Sequence, residues 1–312
     1  MSGMDNLDPV LILTGPTAVG KSSLSLGLAE AVGAEIVSAD SRQIYRGLIV
    51  GTATPPPASR ERVPHHLIDC VDPMATYSVG DYWLDVNHAI ADVQSRACPA
   101  VIVGGSTLYI ESLVRGLADL PDVPRGVVEG VASEAATPEG RARLHEELAG
   151  VDLDAASTLD PSKSQRLIRL VSLLRATGRP PSMLWREGHR PPVPHQLVVL
   201  DRPRDQLYAR IERRVDAMLE AGWVEEVRDL LDRTPPPRPL INATIGYREI
   251  AAFLDGESSF EDAIRLIKRN TRRYAKRQLT WFRRYDEAVW LDARTASVDS
   301  VLKAVAPWPS RT

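Results

Sequence analysis

Residues 15 to 22, Gly-Pro-Thr-Ala-Val-Gly-Lys-Ser, have the spacing G-x-x-x-x-G-K-[ST]. Gly15 and Gly20 let backbone N–H groups curl around an anion, with Pro16, Thr17, Ala18 and Val19 forming the arc between them. Lys21 adds a mobile positive charge, and the Ser22 hydroxyl is a ligand type suited to Mg²⁺. An apolar run precedes the loop and a helical pattern follows it, so the loop opens a helix whose positive end faces the same anion. Such a loop serves nucleotide hydrolysis, phosphoryl transfer, and reactions in which a diphosphate leaves. A hydrolase of this type carries an acid at the end of a second apolar strand. Here Ala100 to Gly105 runs into Ser106 and Thr107 instead, with Asp69 or Asp72 as the available stand-ins.

Asp40 ends the apolar run Ala34 to Ala39, at the strand edge where ligands sit in open α/β sheets. A carboxylate there suits a general base, with Ser41, Arg42 and Gln43 as hydrogen-bonding groups beside it. An Asp-Ser turn with a local capping role is the competing reading of the same residues. A third feature lies far along the chain. Between Arg265 and Arg284 there are nine Lys or Arg and no acid, interleaved with Tyr274, Trp281 and Phe282. A solvated helix face usually mixes both signs, so this pattern points to contact with a phosphate backbone. Trp281 and Phe282 are expected to be core residues.

The 312 residues carry a net charge of -3, so attraction to nucleic acid must come from that local tract. Cys70 and Cys98 have no metal-ligand spacing and argue against a disulfide framework. The opening residues lack the basic and long apolar stretches of a secretion signal, and no membrane span is visible. A cytoplasmic, monomeric protein is expected.

Short apolar runs at 10 to 14, 34 to 39, 66 to 71, 100 to 105, 195 to 201 and 288 to 292 alternate with helical patterns. They predict a P-loop NTPase-like α/β three-layer core with a parallel sheet. The strand signal vanishes between 118 and 195, where a helical subdomain is inserted. The expected division is core at 8 to 117, insertion at 118 to 195, and core completion with the basic helix at 196 to 312.

These segments, taken in order from about residue 10 to 292, resemble the tRNA dimethylallyltransferases: "GPTAVGKSSLS", "SADSRQIYRGLIVGTATP", "PHHLIDCVDP", "VGGSTLYIESLVRGL", "RLIRLVSLLRATGRPPS", "TIGYREI" and "RNTRRYAKRQLTWFRR". The resemblance implies transfer of a dimethylallyl group from dimethylallyl diphosphate to N6 of the adenosine 3-prime to the anticodon, with Mg²⁺. It implies catalytic roles for Asp40 as general base, Ser106 and Arg214. It assigns diphosphate binding to Gly15 through Ser22 and to Arg210, and the metal to Ser22. Contact with the tRNA anticodon stem-loop falls to Asp40 through Gln43, Ser106, Arg125, and Gln165, Arg166, Leu167, Ile168 and Arg169. It falls also to Gly246, Tyr247, Arg248, Arg272, Arg273, Lys276 and Arg277. Two positions depart from the family pattern: Ser106 stands where a Thr is usual, and Ala243 where a basic or amide side chain is frequent.

Three other functions share parts of the pattern. A small-molecule kinase has the loop but no use for a basic helix. An adenylate isopentenyltransferase acting on free AMP or ADP shares the loop and the acid but needs neither the insertion nor the basic helix. A non-catalytic nucleic-acid-binding module leaves the loop and Asp40 without work.

Overall fold

The structure is a computed structural model that describes residues 7–160 and 164–308. Eight strands occur in chain order: β1 (Val10–Thr14), β2 (Glu35–Ala39), β3 (His65–His66), β4 (Ala100–Gly104), β5 (Leu117–Ala118), β6 (His189–Arg190), β7 (His195–Asp201) and β8 (Val289–Asp292). Six of them form one parallel sheet in the order β3-β2-β4-β1-β7-β8. Every residue of β1 and β2 is buried, because helices cover both faces and leave no solvent side for a polar alternation. On one face Tyr82, Val86 and Ile90 of the Val79–Ser95 helix pack with Ile110 and Leu113 of the Thr107–Val114 helix. On the other, Leu28 and Val32 of the Lys21–Val32 helix meet Val301 and Trp308.

The strand expected at 66 to 71 is reduced to His65–His66 plus a single bridge between Tyr45 and Val71. Leu67 and Asp69 adopt φ of 58° and 53°, left-handed values that break an extended run. The two histidines are satisfied within the fold: His66 pairs with Glu35 at 2.7 Å and His65 Nδ1 lies 2.7 Å from the Val63 carbonyl.

The chain divides into two compact units. One runs to Val114 and resumes at Val193, and contains the sheet; the other is Arg115–Pro192. The second is helical apart from the β5–β6 pair, and has its own core of Val131, Leu144, Leu148, Leu167, Leu170 and Leu174. Within it Arg175 ties two helices together through Glu134 at 2.6 Å and Glu147 at 2.7 Å.

In the first unit a third apolar cluster sets the positions of the site's more distant residues. Ile44 and Leu48 from the segment after β2 pack with Trp223, Tyr247, Ile250 and Ile267. The Glu226 carboxylate fastens this cluster to the backbone after β2. It accepts from the N–H groups of Ile49 at 2.8 Å, Val50 at 2.7 Å and Gly51 at 3.1 Å, and from the Tyr247 hydroxyl at 2.6 Å. Among the described residues no helix is long and apolar enough to cross a membrane.

Candidate active site

The phosphate loop leaves β1 at Gly15, where φ is 144° and a Cβ would stand 2.5 Å from the Leu200 carbonyl oxygen of β7. Only glycine allows that close approach of backbone to backbone. The helix at Lys21 starts without a side-chain cap, so its first N–H groups face the loop's interior. Lys21 Nζ donates to the Gly15 and Pro16 carbonyls at 2.8 Å and 3.0 Å. Burial, reinforced by the Arg214 guanidinium and opposed by Asp40, lowers its pKa to about 7. A bound polyanion would restore its charge.

Asp40 stands at the carboxyl end of β2. Its Oδ1 accepts from the N–H groups of Arg42 at 2.8 Å and Gln43 at 3.3 Å, while Oδ2 makes no hydrogen bond among the described residues. The capping and general-base readings are therefore compatible, each using a different oxygen. Two concavities meet at this residue. The first, about 360 Å³, is walled by the phosphate loop, Lys21, Ser22, Gly104, Gly105, Arg210 and Gln278. The second, about 410 Å³, is walled by Arg42, Trp223, Thr244, Arg248, Arg273 and Arg277. Asp40, Arg214 and Tyr274 line both. Burial lowers the pKa of Arg214 against the pull of Asp40, and raises Tyr274 to about 12. Arg210 Nε donates to the Ala18 carbonyl at 2.8 Å, which brings its charge to the loop.

The structure redirects several sequence expectations. Ser106 lines neither concavity; its hydroxyl accepts from Ser41 N at 2.8 Å and donates to Ser41 Oγ at 3.1 Å, so it positions the turn after Asp40. Gln43 spends its amide on the Thr52 and Ala53 carbonyls at 3.1 Å and 3.2 Å, and so serves the loop's internal structure. Tyr247 is fully buried in the apolar cluster and bonded to Glu226, which removes its side chain from any RNA contact. Arg272 pairs with Glu212 and lies over the Tyr208 ring, away from the second concavity, whereas Arg273 and Arg277 line it. Gly246 does not line it, but Ile245 and Arg248 on either side do. Lys276, beside Arg277 on the basic helix, is exposed but lines neither concavity. In the helical unit Gln165, Arg166 and Arg169 are exposed, Ile168 is half-buried, and Leu167 is core, so a contact along this helix cannot use Leu167. Arg125 is exposed and paired with Glu129 at 2.7 Å. Phe282 is buried and Trp281 half-buried, with its indole N–H donating to Glu111 at 3.2 Å, as core residues would be.

Three residues at this site carry no sequence signal. Gln278, 1% exposed, accepts from Thr17 N at 2.9 Å and donates to the Gly105 carbonyl at 2.6 Å, clamping the phosphate loop to the end of β4 from the basic helix. Glu249 gathers Gly246 N, Arg248 Nε and Asn270 Nδ2 at 2.6, 2.8 and 2.8 Å. Trp223 packs where a Cβ on Gly246 would meet its ring at 2.0 Å, so glycine is required beside it.

The model of the family described as IPP transferase matches residues 43–285, and that described as isopentenyl transferase matches residues 9–67. The chain belongs to the tRNA dimethylallyltransferase (IPP transferase) family. A tRNA dimethylallyltransferase of Salinibacter ruber is 44% identical over 310 residues, covering 98% of this chain and 94% of that protein. The one from Bacillus subtilis is 41% identical over 296 residues, covering 95% and 94%. Among solved structures, the tRNA isopentenylpyrophosphate transferase of Bacillus halodurans superposes with a TM-score of 0.69 at 34% identity, covering 95% of this chain and 94% of that one. A eukaryotic dimethylallyltransferase captured acting on tRNA gives a TM-score of 0.78 at 27% identity, covering 92% and 74%.

Proposed function

We propose that the chain transfers a dimethylallyl group from dimethylallyl diphosphate to N6 of the adenosine 3-prime to the anticodon of tRNA, releasing diphosphate. The observation that carries this reading is the pair of concavities with Asp40 and Arg214 in their common wall. A kinase or hydrolase needs one phosphate pocket and a nearby acceptor. Two adjoining chambers, one lined by the phosphate loop and lysine and the other by five arginines and Trp223, suit a diphosphate and a nucleotide arriving from different sides.

The residues divide the work as follows. The loop amides, Lys21 and Arg210 hold the diphosphate, and Arg214 adds charge where the C–O bond breaks. The flipped adenine enters the second chamber, where Arg42, Arg248, Arg273 and Arg277 meet the phosphates around it. The N6 lone pair forms the new bond to C1 of the allyl group as the C1–O bond breaks. The N6 proton passes to the free Oδ2 of Asp40, and diphosphate leaves with the bond's electron pair.

Mg²⁺ fits this arrangement only as a companion of the diphosphate. Among the described residues no group of three His, Cys, Asp or Glu could hold a metal ion. The first chamber offers the Ser22 hydroxyl, with the Asp40 carboxylate in the same wall, so the remaining ligands would come from the diphosphate and water. When bound, the ion neutralises charge on the leaving group. Asp69 and Asp72 spend a carboxylate oxygen on the N–H groups of Gly47 at 3.0 Å and Met74 at 2.7 Å and do not line the chamber.

The test is incubation with labelled dimethylallyl diphosphate and unmodified tRNA, with free AMP in a parallel reaction. Label is expected on the adenosine next to the anticodon. Label on AMP with none on tRNA overturns the reading in favour of a free-nucleotide enzyme.

A further inference from the structure

On the proposed reading the allylic carbon lies where the two chambers meet, bonded to the diphosphate in one and attacked by a base held in the other. Among the described residues Thr17, Ala18, Asp40, Arg214 and Tyr274 line both. Thr17, Asp40 and Arg214 bring a hydroxyl, a carboxylate and a guanidinium to that junction, and Ala18 a single methyl. The Tyr274 ring is its one broad apolar surface. A dimethylallyl group removed from water at the junction therefore lies against that ring.

The ring is held where it stands. Its helix, Phe260–Phe282, is fastened one turn further on, where buried Gln278 bridges Thr17 N and the Gly105 carbonyl at 2.9 Å and 2.6 Å. Ala275, the next residue, is fully buried in the core beneath the helix, so the backbone has no room to retreat. The Arg277 guanidinium carbon stands 5.9 Å from the Tyr274 ring centroid. The hydroxyl is held only loosely. It reaches the Gly105 carbonyl at 3.5 Å, an acceptor that Gln278 already serves.

A prenyl chain longer than dimethylallyl would have to grow in one of two directions. Towards the second chamber it meets the target base. Towards the first it meets Tyr274 and then Gln278, which is packed so tightly that a Cβ on Gly105 would stand 2.5 Å from its Nε2. Forcing extra carbons into a close-packed wall is costly.

We infer that the Tyr274 ring sets the length of the isoprenoid, admitting dimethylallyl and refusing a chain one isoprene unit longer. The inference rests on the prenyl-transfer reading above. The selectivity belongs to the bulk of the ring, and the hydroxyl contributes nothing to it.

The test compares dimethylallyl diphosphate with geranyl diphosphate as donors to unmodified tRNA, in wild type and in Tyr274→Phe, Tyr274→Leu and Tyr274→Ala. The ratio of kcat/KM for the two donors, taken on one preparation, does not depend on the fraction of protein folded. Wild type is expected to favour dimethylallyl by roughly 10²-fold or more. The phenylalanine variant should keep that ratio. The alanine variant should lower it by about tenfold or more through a gain in geranyl transfer, as expected when a buried ring is removed and its space left open. The leucine variant should fall between, and carries the test should the alanine variant not fold. A wild type that uses both donors equally overturns the inference, as do alanine and leucine variants that keep the wild-type ratio. Loss of the ratio in Tyr274→Phe overturns it too, since the hydroxyl would then hold the selectivity. Failure of the parent reading is separate: wild-type protein would then transfer neither isoprenoid to tRNA.

Discussion

The two chambers that meet at Asp40 are built in opposite ways. The diphosphate chamber is largely one local event: a strand, six loop residues and a helix N-terminus contiguous between Val10 and Val32, completed by the end of β4. The nucleotide chamber is assembled from pieces near residues 40, 51, 214, 223, 244, 248 and 273, held in place by the apolar cluster and by Glu226 and Glu249. On the proposed reading the first binds a small anion chiefly through backbone, which any sequence with the right glycines can present. The second must recognise a base and its phosphates, which takes side chains from many segments. The same difference sets how each should fail. Local construction leaves the diphosphate chamber reliant on a few distant side chains, Arg210, Arg214 and Gln278 among them, whereas dispersed construction exposes the other to change at many points.

Asp40 belongs to both, so its replacement should break the reaction without breaking either side. Asp40→Asn keeps the Oδ1 acceptor for Arg42 N and Gln43 N and removes the base. Turnover should drop by about 10²–10⁴, with tRNA and diphosphate affinities nearly unchanged. Comparable losses in affinity would make Asp40 a structural acid.

Next in size is a change confined to the nucleotide side. Gly246→Ala places a methyl 2.0 Å from the Trp223 ring at a φ of 92°. Moving that ring should weaken tRNA binding by roughly tenfold and cost about 1–3 kcal/mol of stability. Inorganic diphosphate affinity should hold, as measured by calorimetry. Equal damage to both ligands would show the chambers to be mechanically one.

The smallest effect tests the reverse direction. Gln278→Leu removes the clamp between Thr17 N and the Gly105 carbonyl. Leaving those groups without partners should cost about 1–3 kcal/mol, read by chemical denaturation. Diphosphate affinity should fall several-fold while tRNA affinity stays level. A loss confined to tRNA would place Gln278 among the RNA contacts instead.

Legibility from sequence followed the same division. The placement of the phosphate loop and of Asp40 is readable because it depends on neighbours in the chain, and the parallel sheet because its central strands are apolar throughout. The strand expected at 66 to 71 failed since left-handed residues inside an apolar run leave no periodic mark. Gln278 was invisible because its meaning lies 261 residues away at Thr17. Arg272 was grouped with the RNA-facing cations because its acid, Glu212, is supplied by another helix. Tyr247 and Leu167 carried family motifs whose side chains turned out to hold cores.

The central claim is that the chambers serve two substrates at once, and simultaneous occupancy tests it most directly. Protein saturated with unmodified anticodon stem-loop RNA is titrated with micromolar inorganic diphosphate and Mg²⁺, following bound RNA by fluorescence anisotropy and diphosphate by calorimetry. The account requires one diphosphate to bind while the RNA stays in place, and dimethylallyl diphosphate to compete with that diphosphate but not with the RNA. Displacement of the RNA by one equivalent of diphosphate would mean that both ligands contend for a single chamber, and would contradict it.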